Sequence, residues 1–407
     1  MPTTANAVGN GPLAGYRVLE LSSTIAGPFC GRLLADFGAE VIKVEPREGD
    51  PLRSSGKLFK GKSLSAATLL RNKKLISVDL RHAEGQQLIR RLVEKCDAVV
   101  ENFRPGALEK WGLGYEDLKR VRPDIVMVRI SGFGQSGPYS AKPGYGVICE
   151  AASGLRHLTG DPDRPPARVA IPLTDYITGL YAVFGGVMAL LHCLRTGTGQ
   201  FVDAALSECA LSFTETHIPA YEKLGVVANR MGSGLADSVP NNLYPTQDEK
   251  FIHIQAAQDG VFRRFATAMG KPELGSDERF KTARLRSKNQ AALEKIISDW
   301  TVANTLPDLR GMLDAADVPA MGINTVADIF EDVQFRERDM LLSVPDDELG
   351  TVTVVGPVPK LSATPGSVRK SGGCVGGDTG NVLSELVGLS TEEVERLQAD
   401  GVVYCGN

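Results

Sequence analysis

The chain has 407 residues, of which 43% are hydrophobic and 23% charged, with a formal net charge of −4. That length exceeds what one compact core usually holds, so two domains are expected, and the mild acidity gives no support to nucleic-acid binding, which leaves a strongly basic footprint. The seven cysteines form no CxxC pair and no two of the five histidines lie within four residues of each other; no metal site is expected, and the thiols read as reduced in a cytosol-like compartment.

Met1–Tyr16 carries neither a basic n-region nor an apolar h-region, so no signal peptide is expected. Tyr16–Leu21 is a β-rich run followed by a turn at Gly27-Pro28, and Phe29–Phe37 has helical spacing of its apolar residues. Val41–Val44 and Ile76–Leu80 read as strands, Ala83–Glu94 as a helix, and Ala98–Val100 and Ile125–Ile130 as further strands. This alternation predicts an α/β fold with a doubly wound, mostly parallel sheet. Ile177–Leu194 is almost wholly apolar and long enough to cross a membrane. Gly185 and Gly186 at its centre, the flanking Asp175 and Arg195, and the lack of a second such segment make it a buried helix of a soluble protein. A strand at Gly199–Ala205 and a helix over Leu206–Leu224 follow. Asn229–Asn242 reads as a linker. Phe251–Gln255 opens a smaller unit with helices near Gly260–Met269, Gln290–Val302 and Leu306–Ala316. Thr351–Val355 and the Pro/Gly/Ser-rich Gly356–Gly380 lead to a final helix pair near Val382–Leu386 and Thr391–Ala399.

Several residues could carry chemistry. The turn Leu21–Pro28 is built of small residues ahead of a helix N-terminus, which suits either a short strand-to-helix connection or close approach of an anionic ligand; it lacks the GxGxxG spacing of dinucleotide sites. Arg47, Arg71, Lys73, Lys74, Arg81, Arg104 and Lys110 cluster around later turns of the same sheet, either as solvated surface or as charges converging on a polyanion such as coenzyme A. Asp175 opens the most apolar helix, where a carboxylate serves either as an N-cap or as a nucleophile. No Ser-His-Asp order or GxSxG elbow is present, so histidine-assisted nucleophilic catalysis is not expected.

Eight segments in order carry a family resemblance: Val18–Pro28 (VLELSSTIAGP), Gly38–Glu45 (GAEVIKVE), Asn72–Leu80 (NKKLISVDL), Glu101–Leu108 (ENFRPGAL), Ile130–Pro138 (ISGFGQSGP), Pro172–Gly179 (PLTDYITG), Thr196–Ala204 (TGTGQFVDA) and Gly356–Pro365. Together they resemble the family III CoA-transferases (formyl-CoA transferase, CaiB/BaiF type). The resemblance implies that Asp175 attacks a donor acyl-CoA, passing through an aspartyl anhydride and an aspartyl-CoA thioester. It further implies CoA contacts at Ile25, Ala26, Asn102 and Phe103, basic residues near the nucleotide at Arg47, Arg81 and Lys110, and Tyr145 lining the acyl pocket. CoA and its acyl esters are then substrates rather than a tightly bound cofactor, and the partners are a carboxylic acid and a second copy of the chain in an interlocked homodimer, with no nucleic acid and no membrane. Residues 1–224 and 341–407 are expected to form the large CoA-binding domain and 225–340 a smaller α+β domain, in a cytoplasmic enzyme. Succinyl-CoA with a short dicarboxylate acceptor is the expected pair. The Gly-rich Arg230–Ala236 reads either as an active-site loop or as the linker.

Two positions depart from the family pattern. Gly146 stands where many relatives carry an acidic residue, and Asp378 replaces a histidine. A 2-methylacyl-CoA racemase shares the implied fold but uses a histidine base where this chain has Gly144-Tyr145-Gly146. The same motifs would also suit a non-catalytic CoA-binding protein, or a hydrolase that lets water capture the anhydride.

Overall fold

The computed structural model describes residues 11–235 and 237–406; the first ten residues of Met1–Tyr16, and Ala236 of the Gly-rich segment, lie outside them. Seven strands, β1 (Arg17–Leu21), β2 (Glu40–Glu45), β3 (Lys74–Val78), β4 (Ala98–Glu101), β5 (Val126–Ser131), β6 (Phe201–Ala205) and β7 (Val403–Tyr404), form one sheet in the order β7-β3-β2-β1-β4-β5-β6. All neighbours are parallel except β7, which pairs antiparallel with β3. The helices that position the site are α1 (Ala26–Asp36), α2 (Ala83–Val93), α3 (Gly146–Ala152) and α4 (Leu173–Thr196).

Alternation along the strands explains the two layers. Val18, Val41, Val100 and Val128 pack on one face with Ala26, Cys30 and Leu34 of α1 and Ala182, Ala189 and Leu190 of α4. Leu19, Ile42, Ile76, Val99 and Met127 face the other way, onto Leu88, Ile89 and Leu92 of α2. Strands buried on both faces read as continuous apolar runs, which is why they stood out in the sequence. The chain leaves β1 towards β2 and β3, then returns to build β4, β5 and β6 on the opposite side. The order therefore reverses between β1 and β4, and such switch points open a crevice at the carboxyl ends of the strands.

Two expectations need correction. The helix expected over Leu206–Leu224 is broken into Leu206–Leu211, a 3₁₀ turn at Ser212–Thr214 and a new helix at His217–Leu224. Pro219 cannot donate a backbone hydrogen bond and is tolerated only in a first turn, so the helix restarts just before it. The apolar segment expected as a buried helix is α4, which packs along one side only. Ile177, Ala182, Gly186, Ala189 and Leu190 are buried, whereas Leu180, Phe184, Met188, Leu191 and Leu194 form an exposed stripe.

Residues 11–155, 169–219 and 334–406 make one compact unit; Arg156–Arg168 and Ala220–Val333 make a second. The second contains an antiparallel sheet of Asn241–Pro245, Phe251–Gln255 and Ala320–Gly322. The helices Asp259–Ala268, Gln290–Thr301 and Leu306–Ala315 contribute Phe262, Phe265, Leu293, Ile297 and Leu309 to its core. Within it Arg230 donates to the carbonyls of His157 and Asp161, and Gly232 N donates to Gly160 O at 3.0 Å.

Candidate active site

Past the carboxyl ends of β1, β4 and β5 lies a cleft of about 230 Å³. Its walls are Ser23, Thr24 and Ala26 from the β1–α1 turn, Asn102–Pro105 after β4, Ser131 and Gly132 at the end of β5, Lys142–Tyr145, and Asp175. The first two walls are tied together: Ser23 N donates to Asn102 Oδ1 and Asn102 Nδ2 donates to Ser23 O, each at 2.8 Å. The site thus sits at the crossover point of the sheet, where the topology places ligands of open α/β folds.

Asp175 is the third residue of α4, and the N-cap position belongs to Pro172. An N-cap role for Asp175 is therefore excluded; its half-buried carboxylate lies in the first turn, where the positive end of the helix dipole favours negative charge. Gly146 at the start of α3 explains one departure from the family pattern. A Cβ built there would overlap Asp175 Oδ2 and lie 2.9 Å from its Cγ, so glycine lets the α3 backbone approach this carboxylate in its present orientation. Cys149, one turn on, donates its thiol to Gly132 O at 3.1 Å. Burial, and then the negative charge of Asp175, push that thiol up to about 11, which keeps Cys149 a thiol near neutral pH.

A second cleft of about 330 Å³ shares Ser23, Pro51 and Phe103 with the first. It is mainly apolar, lined by Val44, Val78, Leu80, Phe103 and Trp111, with Arg81 among its lining residues. Phe103 and Trp111 meet edge to face at 5.5 Å, and the exposed Arg81 pairs with Asp79 at 3.0 Å.

The structure brings Asp175, Ala26, Asn102, Phe103 and Tyr145 to the first cleft and Arg81 to the second. Three expected contacts line neither. Ile25 packs against the cluster containing Leu33 and Leu70, Arg47 stacks over the ring of Tyr404 at 5.6 Å, and Lys110 ends the short helix Ala107–Lys110. Of the basic cluster, Arg71 and Lys73 are fully buried, drawn inward by Asp36 (2.6 Å) and Glu20 (2.7 Å), and Lys74 pairs with Glu40 and Glu385. Arg104 does line the cleft, together with Lys142, which the sequence did not single out because an isolated loop lysine has no signature separating it from solvated surface. Asp378, the second departure, accepts from Leu75 N at 2.7 Å.

The Asn102–Pro105 wall is anchored by a buried ion pair. Glu101 accepts from Phe103 N at 2.8 Å and from Arg129 Nε at 2.9 Å, and Arg129 continues to Glu109 at 2.7 Å. Burial pushes the Glu101 carboxyl up to about 7 against the pull of Arg129. A carboxyl raised on folding stabilises the folded state below its unfolded value near 4.5, and that contribution is lost as pH rises through about 7. Glu101→Gln is expected to remove this falling component, worth up to about 3 kcal/mol, from the stability profile between those pH values. Urea unfolding across the window tests it, and a profile unchanged by the substitution would contradict it.

The family model of CoA-transferase family III matches residues 13–379. A Chloroflexus aurantiacus protein named succinyl-CoA–D-citramalate CoA-transferase is 45% identical over 96% of this chain and 98% of its own. From the same organism, a succinyl-CoA–L-malate CoA-transferase beta subunit is 38% identical over 96% of this chain and 98% of its own. Among solved structures, a CAIB/BAIF family protein from Brucella suis superposes with a TM-score of 0.83 at 36% identity, covering 93% of this chain and all of that one. With the fold, the order of motifs and these whole-length matches in agreement, the chain belongs to the family III CoA-transferases.

Proposed function

We propose that this enzyme transfers CoA from succinyl-CoA to a short dicarboxylate acceptor, with Asp175 as the nucleophile. The observation that carries the reading is the placement of a carboxylate on the first turn of α4, in the cleft at the sheet's switch point, in a chain 45% identical to a protein named as a succinyl-CoA–D-citramalate CoA-transferase. Asp175 attacks the thioester carbonyl; the C–S bond breaks, CoA leaves as thiolate, and a mixed anhydride remains. The thiolate attacks the aspartyl carbonyl, the C–O bond breaks, and succinate departs from an aspartyl-CoA thioester. The acceptor carboxylate then attacks that thioester, and the released thiolate takes the acceptor's acyl carbon, restoring Asp175. Covalent catalysis splits one difficult acyl exchange into successive steps through activated acyl intermediates.

The two clefts suit the two ends of the substrate. The apolar slot between Val44, Val78, Leu80, Phe103 and Trp111 fits an adenine ring, with Arg81, paired to Asp79, at its edge toward phosphate, and Arg104 and Lys142 supply positive charge beside the thioester end. Ala26, Asn102, Phe103 and Arg81 are the proposed CoA contacts that line these clefts, with Tyr145 at the acyl pocket; Ile25, Arg47 and Lys110 line neither cleft. A racemase would need a base where Gly144-Tyr145-Gly146 stands, and a tyrosine 71% exposed to water is poorly suited to that work.

The exposed stripe of α4 is assigned to a second copy of the chain. A contiguous apolar face of this kind marks an interaction surface, and the opposite side of the same helix is packed against the sheet, which does not suit a membrane-spanning segment. Sedimentation analysis is expected to give a dimer, and Phe184→Glu, which places a charge in the middle of the stripe, is expected to yield monomer or loss of folded protein. A monomeric wild type would contradict the assignment.

The functional reading is tested by steady-state kinetics with succinyl-CoA and a panel of D-citramalate, L-malate and unsubstituted dicarboxylates. Parallel-line kinetics with appearance of the acceptor's CoA ester support transfer. Release of free CoA without a new thioester would indicate hydrolysis and contradict it.

A further inference from the structure

Behind the β1–α1 turn lies a group of buried charges that acyl transfer does not itself use. Glu20 and Lys43 are fully buried and Asp50 is 2% exposed. Lys43 Nζ stands 2.9 Å from Asp50 Oδ2 and 3.3 Å from Glu20 Oε1, and donates to Ser22 O at 2.6 Å. The other Glu20 oxygen lies 2.7 Å from Lys73 Nζ, which donates to Pro28 O in the first turn of α1. A Cβ on Gly31 would overlap the Glu20 carboxylate, so α1 rests directly on the cluster.

Asp50 connects this cluster to the cleft. Its Oδ1 accepts from Thr24 N at 3.0 Å and from Leu52 N at 2.9 Å. Thr24 has a φ of 64°, the left-handed region that a β-branched residue enters only when its surroundings impose it. Thr24 is also a wall of the first cleft. Burying several charges is a poor way to stabilise a core, since desolvation offsets their attraction. What the arrangement achieves is a fixed backbone: Lys43 holds Ser22 O, Asp50 holds Thr24 N, and Asn102 brackets Ser23 between them.

We propose that Lys43 and Asp50 are positioning residues of the transferase, holding Thr24 in its left-handed conformation and so fixing the turn against which the CoA thioester binds. The proposal rests on the reading of this cleft as the thioester site. Sequence alone does not suggest it, because Lys43 sits inside a strand and Asp50 in a loop, with nothing to mark them as partners.

The test uses full-length Asp50→Ala and Asp50→Asn, each with and without Thr24→Gly. Asp50→Ala is expected to lower kcat/KM for succinyl-CoA by about 100-fold and to weaken binding of free CoA, measured by calorimetry, by about tenfold, with the acceptor KM unchanged. Thr24→Gly on that background is expected to restore most of the loss without restoring the melting temperature, because glycine takes a positive φ unaided. Asp50→Asn keeps the volume and one acceptor but removes the charge that binds Lys43, and carries the same test if the alanine variant does not fold. Unchanged kinetic constants and CoA affinity per folded molecule in either variant, with only the melting temperature lowered, would overturn the proposal, as would failure of Thr24→Gly to recover activity. Asp175→Asn separates this from the site itself: if it retains turnover, the reading of the cleft fails, whereas an inactive Asp175→Asn beside Asp50 variants of normal CoA affinity overturns the positioning role alone.

Discussion

Asparagine in place of Asp175 is expected to leave CoA binding intact and to lower kcat by about 10⁴-fold or more, in line with removal of a covalent nucleophile. The substitution keeps side-chain volume but exchanges an anionic oxygen for a neutral amide, which cannot form the anhydride. Asp175 lies in the first turn of α4, so the loss of its charge also removes a favourable interaction with the helix dipole of about 0.3–1 kcal/mol. The expected pattern is a nearly unchanged melting temperature, an unchanged affinity for free CoA and a collapsed turnover number. Turnover within about tenfold of wild type would place the nucleophile elsewhere.

Gly146→Ala is the second large effect. The added methyl overlaps Asp175 Oδ2, so either the carboxylate rotates or α3 moves away from α4. A displacement of this order at a reacting group costs about 100-fold in rate. Helix propensity acts weakly in the opposite sense, because Gly146 is only the first residue of α3. The variant is therefore expected to fold as stably as wild type, to bind CoA normally and to turn over about 100-fold more slowly. Full activity in Gly146→Ala would show that Asp175 acts from a different rotamer.

These two residues illustrate what the sequence disclosed and what it withheld. The strands were legible because β1 to β5 are buried on both faces and read as short apolar runs between helical segments. Asp175 was legible because a lone carboxylate at the head of the most apolar helix stands out and falls within a family motif. The contact between Asp175 and Gly146 was not, because it joins two helices that the chain connects through a long irregular segment. The same limit applies to charge. Arg71 and Lys73 look like surface cations in sequence, and only the fold shows that Asp36 and Glu20 lie beneath them. Ile25, Arg47 and Lys110 occupy the segments a family resemblance assigns to CoA, yet side-chain direction depends on local backbone geometry, which sends Ile25 inward and Arg47 onto Tyr404. The one-sided packing of α4 was hidden because a helix apolar on all sides gives no pattern from which to choose its buried face.

Asp175 is expected to become covalently attached to the transferred group during turnover. Incubating the enzyme with succinyl-CoA, trapping with hydroxylamine or borohydride, and mapping peptides by mass spectrometry tests it directly. A modified or reduced residue is expected at Asp175 in wild type and none in Asp175→Asn. An adduct at another residue, or none with any acyl-CoA despite measurable CoA binding, would contradict it.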